Sequence, residues 1–334
     1  MTSVRWGLLS TAAIGRVVVD AARPLDRARF VAVASRDADK AKQFASECGL
    51  DLSFGSYEEL LASDAVDAVY IPLPVSMHAE WTMKALAAGK HVLCEKPFAI
   101  TSADTARCFD AAEAAGRWCI EGLMYRHHPQ TLLAQRLLVE GAIGRLSTVR
   151  AALSVSVGTG DIRRSRALGG GALLDLGCYC ASAMHLFAGT PERVYAEQVI
   201  DTAGDGVDLR MAVTVRLPGD VLGQFDVGLD LPRRDELELI GTEGKIVVGD
   251  PWICREGRVE LFRNGTSERL PIDPEGAYGL TGEEADVYRI EMDTVSAIIT
   301  GERDATFGRD DAIALAHTLE RIRATAESGT PVAT

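Results

Sequence analysis

The sequence contains no apolar run approaching the roughly 18–20 residues of a membrane span, so no membrane partner is expected. The apolar stretch near the N-terminus is short and is interrupted by Ser10 and Thr11. It reads as a strand entering a turn and not as the hydrophobic region of a signal peptide. Basic residues are in deficit: 35 Lys and Arg stand against 48 Asp and Glu, a formal charge of −13. A nucleic-acid binder needs a basic face toward phosphate, so no nucleic acid is expected as a partner. A small anionic ligand remains compatible, because one local positive site suffices for it. Paired cysteine motifs are missing too. Cys48, Cys94, Cys108, Cys119, Cys178, Cys180 and Cys254 are odd in number and form no C-x-x-C pair. Cys178 and Cys180 lack the second ligand pair that tetrahedral zinc requires, so no metal is expected. Reduced, buried thiols in a cytoplasmic protein fit this pattern. There is no internal repeat and no low-complexity linker.

Apolar residues make up 47% of the chain, which excludes wholesale disorder. A chain of 334 residues exceeds the size at which single cores stop growing, so two domains are expected. In the first third, strands are expected at 4–9, 29–35, 68–71, 91–94 and 118–121. Helices are expected between them at 12–22, 37–48, 76–88 and 102–115, with Asp37 as an N-cap and Gly89 and Gly116 as terminators. This alternation implies βαβ units, and near-continuous apolar strands imply a parallel sheet covered on both faces. After Gly122 the texture changes. A helix at 129–140 breaks at 141–144, a β-rich run follows at 146–157, and Gly169-Gly170-Gly171 precedes an apolar helix at 172–187. Strand-like runs at 194–200, 209–217, 221–229, 236–240, 245–248 and 259–262 alternate with turn residues, as in a large antiparallel sheet. Helices at 283–300 and 309–328 finish the chain. The expected class is α/β. A doubly wound parallel sheet occupies 1–122, and an α/β domain with an open-faced, mainly antiparallel sheet occupies 123–334. The final helix has room to pack back on the first domain.

Two places carry chemistry. The first strand joins the first helix through WGLLSTAAIG (6–15). A dinucleotide site needs small residues there, so that pyrophosphate can approach the helix N-terminus. Ser10 and Ala12 stand where glycines are usual. Gly7, Ser10, Thr11, Ala12, Ala13 and Ile14 are the candidates to line it. The second strand ends in Ser35-Arg36, a hydroxyl and a cation in place of the acid that bonds an NAD ribose, which favours NADP over NAD. The neighbouring Asp37 is the competing reading. Further on, Cys94-Glu95-Lys96-Pro97 lies at the carboxyl end of the fourth strand, where open α/β sheets bind ligands. Asp175 and Tyr179, four apart on an expected helix, share one face. Lysine, tyrosine and aspartate together suit proton transfer in alcohol–ketone interconversion. A surface lysine beside a core tyrosine with a helix-capping acid is the bland alternative.

The sequence resembles the glucose–fructose oxidoreductase / inositol dehydrogenase (Gfo/Idh/MocA) family over most of its length. The resemblance is carried by WGLLSTAAIG (6–15), VYIPLPVSMHAEWTMKALAAGKHVLCEKPFA (69–99), EGLMYRHHP (121–129) and IRRSRALGGGALLDLGCY (162–179). It implies a Rossmann domain followed by an open-faced α/β domain whose sheet often pairs subunits, hence a homodimer or homotetramer. It implies hydride transfer at a carbohydrate, polyol or diol carbon. The lysine of E-K-P, which touches the nicotinamide ribose and the reacting oxygen, falls on Lys96, with Glu95 beside it. The residue four after the aspartate is Tyr179 and not histidine. That is the pattern of the branch with NADP-dependent xylose and dihydrodiol dehydrogenases and sugar-nucleotide 3-ketoreductases. Pro72, Leu73, Pro74 and His78 are expected to line the nicotinamide side, and Tyr125 and Arg126 to border nicotinamide and substrate. Arg163, Arg164 and Arg166 either hold an anionic substrate or face solvent, the second being preferred. A sugar-nucleotide 3-ketoreductase and a non-catalytic NADP sensor are the alternatives to a free-sugar dehydrogenase.

Overall fold

The computed structural model describes residues 3–255, 257–272, 286–330 and 332–333. Two compact units emerge: Met1–Leu123 with Tyr288–Ile313, and Met124–Val287 with Ala314–Thr334.

The first unit begins with β1 (Val4–Leu9), α1 (Ala13–Ala22), β2 (Ala28–Ala34), α2 (Ala38–Cys48), β3 (Leu52–Phe54) and α3 (Tyr57–Leu61). It continues with β4 (Ala68–Ile71), α4 (Val75–Ala87), β5 (His91–Glu95), α5 (Ser102–Ala115) and β6 (Cys119–Gly122). The six strands are parallel, in the order β3-β2-β1-β4-β5-β6. Strand order reverses between β1 and β4, the switch point of a doubly wound sheet. Every residue of β4 is buried, because helices cover both faces. Leu9, Val69 and Ile71 face a core with Leu60, Trp81, Phe98 and Phe109. Trp6, Leu8, Tyr70 and Leu93 face the other core.

That second core is completed from far along the chain. Met292, Val295 and Ile298 of α8 (Val287–Ile299) pack into it. The indole N–H of Trp6 donates to Ser296 Oγ at 3.0 Å, and Arg27 bridges Asp293 and Glu302 at 3.0 Å each. The penultimate helix therefore closes the first unit. The last helix, α9 (Arg309–Ser328), contributes its first turn there, where Arg309 pairs with Asp110 at 2.7 Å. Residues 283–285 of the helix expected at 283–300 lie outside the described residues. β3 and α3 have no counterpart in the sequence reading. A three-residue edge strand with Leu52 exposed carries too little periodicity to register.

The second unit contains α6 (Pro129–Val139), β7 (Leu146–Ser154), a π-helical turn over Leu173–Gly177 that runs into α7 (Cys178–Ala188), β8 (Arg193–Ile200), β9 (Asp208–Leu217) and β10 (Val221–Gly228). β11 (Arg234–Gly241), β12 (Gly244–Gly249), β13 (Arg258–Arg263), β14 (Thr266–Leu270) and β15 (Val332–Ala333) complete it. The nine strands lie in the order β14-β13-β12-β11-β7-β10-β9-β8-β15. All pairings are antiparallel except β7 with β10. Met211, Val213, Val215 and Leu217 of β9 are buried, and the residues between them are not, so one face of this sheet carries the core. Gly223 lets α7 lie close, because a Cβ there would come 2.7 Å from Met184 Sδ. The stretch Arg166–Ala188 is 23 residues long and contains an 18-residue window of mean hydropathy 1.2, enough by length and composition to cross a membrane. That window is 78% buried within the fold, as a core segment is.

Candidate active site

The first turn is built on strained backbone. Ser10 follows β1 with φ 137°, a conformation that favours glycine, and its Oγ accepts the main-chain N–H of Ala12 at 2.9 Å. Ala12 is the N-cap of α1 and has no capping side chain, and the first turn of α1 holds no acid. The Gly15 amide bonds Ala12 O at 3.0 Å, and with neither a side-chain cap nor an acid in its first turn the start of α1 fits a pyrophosphate. Gly15 is buried, and a Cβ there would come 2.7 Å from Leu8 Cδ2, so this glycine sets the close packing of helix on strand. Gly7 is different. It lies inside β1 against Leu60 and Val66, a packing position under α3 and not part of the turn. Thr11 is half-buried, Ala13 is exposed, and Ile14 packs on the core.

At the end of β2, Arg36 and Asp37 differ in what they engage. Asp37 accepts from the amides of Asp39 and Lys40, both at 3.1 Å, as the N-cap of α2. Ser35 is buried, and its Oγ accepts the amide of Asp37 at 3.2 Å. Arg36 is exposed and acts electrostatically on the Tyr57 hydroxyl. The carboxylate is engaged at the helix, while the guanidinium stands at the surface.

Beyond β4, Pro72 and Leu73 are buried, and Pro74 is the N-cap of α4. His78 is 1% exposed, with Nε2 2.7 Å from Leu73 O and Nδ1 3.0 Å from Pro97 O. Burial holds its pKa below the usual value. His78 therefore ties together the loops after β4 and β5. The Lys96–Pro97 peptide is cis. The hydroxyl of Tyr70 donates to the Glu95 carboxylate, and Glu95 Oε2 accepts the Lys96 amide at 3.3 Å. Glu121 Oε1 accepts the Phe98 amide at 2.9 Å. Two carboxylates thus hold the backbone on either side of Lys96, itself half-buried at the end of β5. Burial and the nearby Glu95 push the pKa of the Glu291 carboxyl well above the usual carboxylate range.

In the second unit, Tyr125, Tyr179 and Trp252 form an aromatic cluster. Tyr125 meets Trp252 edge-on at 5.4 Å, and Tyr179 lies 5.8 Å from Trp252 and 6.1 Å from Tyr125. Trp252 is fixed by its N–H donating to Ala152 O at 3.0 Å. Ser182 Oγ lies 2.7 Å from the Tyr125 hydroxyl and accepts Arg126 Nε at 2.8 Å. Burial raises the Tyr125 pKa. The Tyr179 hydroxyl donates to Met124 Sδ at 3.5 Å.

The regular α-helical face expected for Asp175 and Tyr179 is corrected. Asp175 lies in the π turn Leu173–Gly177, whose wider winding offsets the i, i+4 stacking of an α-helix. Asp175 pairs with Arg163 at 3.9 Å. Arg163 also grips Asp161 through Nε at 2.9 Å and a terminal nitrogen at 2.7 Å, which holds Asp161 down at about 2. Arg164 pairs with Asp201 at 3.5 Å, and its side chain is 12% exposed. Arg166 donates to Gly206 O at 3.2 Å. Both Arg163 and Arg164 turn onto carboxylates; the preference for solvent-facing arginines is corrected for Arg164, 12% exposed, and not for Arg163, 38% exposed. Ser182 was within reach of sequence reasoning, three residues after Tyr179. Trp252 and Asp208 were not, since only strand pairing brings them near.

A parallel sheet with this strand order, an open helix N-terminus at its first crossover and a lysine at the carboxyl end of β5 define a dinucleotide-binding oxidoreductase. The chain belongs to the Gfo/Idh/MocA family. Residues 4–123 match the oxidoreductase family with NAD-binding Rossmann fold, and residues 131–247 match the GFO/IDH/MocA C-terminal domain. D-xylose 1-dehydrogenase (NADP(+)) 2 of Haloferax volcanii is 35% identical over 330 residues, covering 98% of both chains. The dTDP-3,4-didehydro-2,6-dideoxy-alpha-D-glucose 3-reductase of Saccharopolyspora spinosa is 38% identical over 277 residues, 81% of this chain and 83% of the reductase. The crystal structure of KijD10, a 3-ketoreductase from Actinomadura kijaniata in complex with NADP and TDP-benzene, superposes with a TM-score of 0.88. It is 28% identical and covers 97% of this chain and 98% of that one.

Proposed function

We propose that the chain interconverts a hydroxyl and a carbonyl on a sugar, polyol or cyclic diol, with NADP as the redox partner. The observation that carries the cofactor choice is the opposition of Arg36 and Asp37: the cation stands at the end of β2 while the acid is spent on α2. NADP, when bound, takes or supplies the hydride at its nicotinamide ring. The N-terminal amides of α1 would hold its pyrophosphate, and Ser35 and Arg36 its 2′-phosphate. Lys96 supports the reacting oxygen. Tyr179 exchanges the hydroxyl proton. Asp175, paired with Arg163, orients the hydrogen bonds around it. The full-length likeness to an NADP-dependent D-xylose dehydrogenase supports a free carbohydrate as substrate.

A nucleotide-linked sugar is the second reading, favoured by the likeness to sugar 3-reductases. Against it, Arg163 and Arg164 are matched with Asp161, Asp175 and Asp201, which leaves little uncompensated charge for a diphosphate. We read the protein as a homodimer or homotetramer. Seven buried thiols support a cytoplasmic setting.

The test is absorbance at 340 nm with NADP⁺ or NAD⁺ against aldoses, polyols and dihydrodiols, and with NADPH against keto-sugars. Lys96→Ala and Tyr179→Phe should still bind NADPH but turn over about 100-fold more slowly. Wild-type rates in either variant overturn the assignment of that residue.

A further inference from the structure

Three aspartates around the connection from β8 to β9 hold the segment that carries Asp175 and Tyr179. Asp201 pairs with Arg164. Asp205 accepts the main-chain N–H of Arg166 at 2.7 Å and the Ser165 hydroxyl at 3.2 Å. Asp208, the first residue of β9, accepts the main-chain N–H of Leu173 at 2.6 Å. Its other oxygen occupies the space where a side chain on Gly171 would begin, because a Cβ there would lie 2.1 Å from Asp208 Oδ1. Gly171 has φ +122° and so accommodates both the turn and the carboxylate. Ala172 precedes the π turn and offers no capping side chain. The cap comes instead from 35 residues downstream.

We propose that Asp208 is a positioning residue whose carboxylate charge anchors the turn Leu173–Gly177 and, through it, the placement of Tyr179. The inference rests on the reading of Tyr179 as the proton-exchanging residue. A carboxylate is a costly choice for this place. Burial raises its pKa to about 6, opposed by the amides of Leu173 and Asp208 and by the charge of Arg323 on α9. The Gly169-Gly170-Gly171 turn adds only backbone groups, and the π turn adds Asp175, which is matched with Arg163. Fold stability alone favours a neutral group there, whereas a short charge-assisted bond to a helix N-terminus favours the anion.

The experiment is kcat against pH from 5 to 8.5 for the NADP-saturated wild type and for Asp208→Asn. The wild type should lose about tenfold in kcat as pH falls through about 6. Asp208→Asn should sit near that low plateau throughout, with KM for NADP unchanged and a Tm at pH 8 no lower than wild type. A purely structural cap would lower Tm and kcat together. Asp208→Asn with wild-type kcat at pH 8, or with the same acid limb, overturns the proposal. If the variant does not fold, the protection factor of the Leu173 amide in the wild type should fall as pH drops below about 6, and constant protection overturns it. Tyr179→Phe runs alongside. An inactive Tyr179→Phe with an unchanged limb in Asp208→Asn sinks the proposal alone. A fully active Tyr179→Phe sinks the reading of Tyr179 and the proposal with it.

Discussion

His78 Nδ1 lies 3.0 Å from the carbonyl of Pro97, while the other nitrogen of the same ring lies 2.7 Å from Leu73 O. One buried side chain thereby joins the loop after β4 to the turn that carries Lys96. A neutral imidazole donates a single proton. Protonation would supply a second donor, but burial holds the ring below its ordinary pKa. The geometry makes His78 a brace between the loops after β4 and β5.

Replacing the brace should disturb binding and folding together. His78→Phe removes the one N–H that the neutral ring donates to a buried carbonyl and should cost about 1–3 kcal/mol in unfolding free energy. NADPH affinity should fall as well, because the loops after β4 and β5 lose their common anchor. Urea unfolding and fluorescence titration check this. Unchanged affinity with lowered stability would confine His78 to folding.

Arg36 and Asp37 should separate cleanly. Arg36→Ala should lower kcat/KM for NADP by about 10–100-fold, a charge-assisted bond or two to phosphate, and leave NAD nearly unaffected. Asp37→Ala removes the cap of α2 and should cost about 1 kcal/mol of stability without changing the NADP/NAD ratio. A shift of that ratio toward NADP in Asp37→Ala would return the carboxylate to the ribose site.

Ser10 tests the strained turn. Ser10→Gly relieves a φ of 137° worth about 1–3 kcal/mol but removes the bond to the Ala12 amide, worth about 1 kcal/mol. Stability should be unchanged or higher. Ser10→Val keeps the strain, adds a β-branch and loses the hydroxyl, so it should destabilise the protein and weaken NADPH binding. Thermal unfolding with and without NADPH reads both effects.

Acid should destabilise the fold through buried histidines. His185, 2.9 Å from Thr318 Oγ1, is lowered to about 4 by burial and by Arg126 and Arg321, and burial lowers His91 to about 4. These pKa values lie below the unfolded value near 6.5, so the unfolded chain binds the protons first. Stability is intact above pH 6.5 and is lost as pH falls toward 4. For His185 the loss is about 2–3 kcal/mol. Asp208 works in the opposite sense, its raised pKa being relieved as pH falls through about 6. Urea midpoints from pH 7 to 4.5 should fall, and His185→Asn should flatten the slope. A midpoint that rises on acidification would contradict these assignments.

Much of the first unit was legible because its signals are local. β1, β4 and α5 fall on the expected residues, and Asp37 caps α2 as its position implied. An apolar run of four to seven residues between helical patterns has few other uses than a covered parallel strand. Ser10 was legible as a substitution for glycine, but only the backbone shows that it keeps a glycine-like φ. β14 went unseen because Thr266–Leu270 is mostly exposed and polar, and pairing with β13 is what makes it a strand.

The sequence by itself determined most of the strands and helices, the small-residue turn after β1 and Asp37 as the cap of α2. Each of these follows from periodicity or from backbone demands that act over a few residues. Only the tertiary structure decided which charges meet. Arg163 and Arg164 read alike as free cations until Asp161, Asp175 and Asp201 come beside them. Only the tertiary structure placed α8 against Trp6, Trp252 against Tyr179, and Asp208 at the head of the π turn. The reason is physical: a side chain's charge, partner and pKa depend on neighbours that long-range strand pairing and helix packing supply, and no window of local sequence contains them.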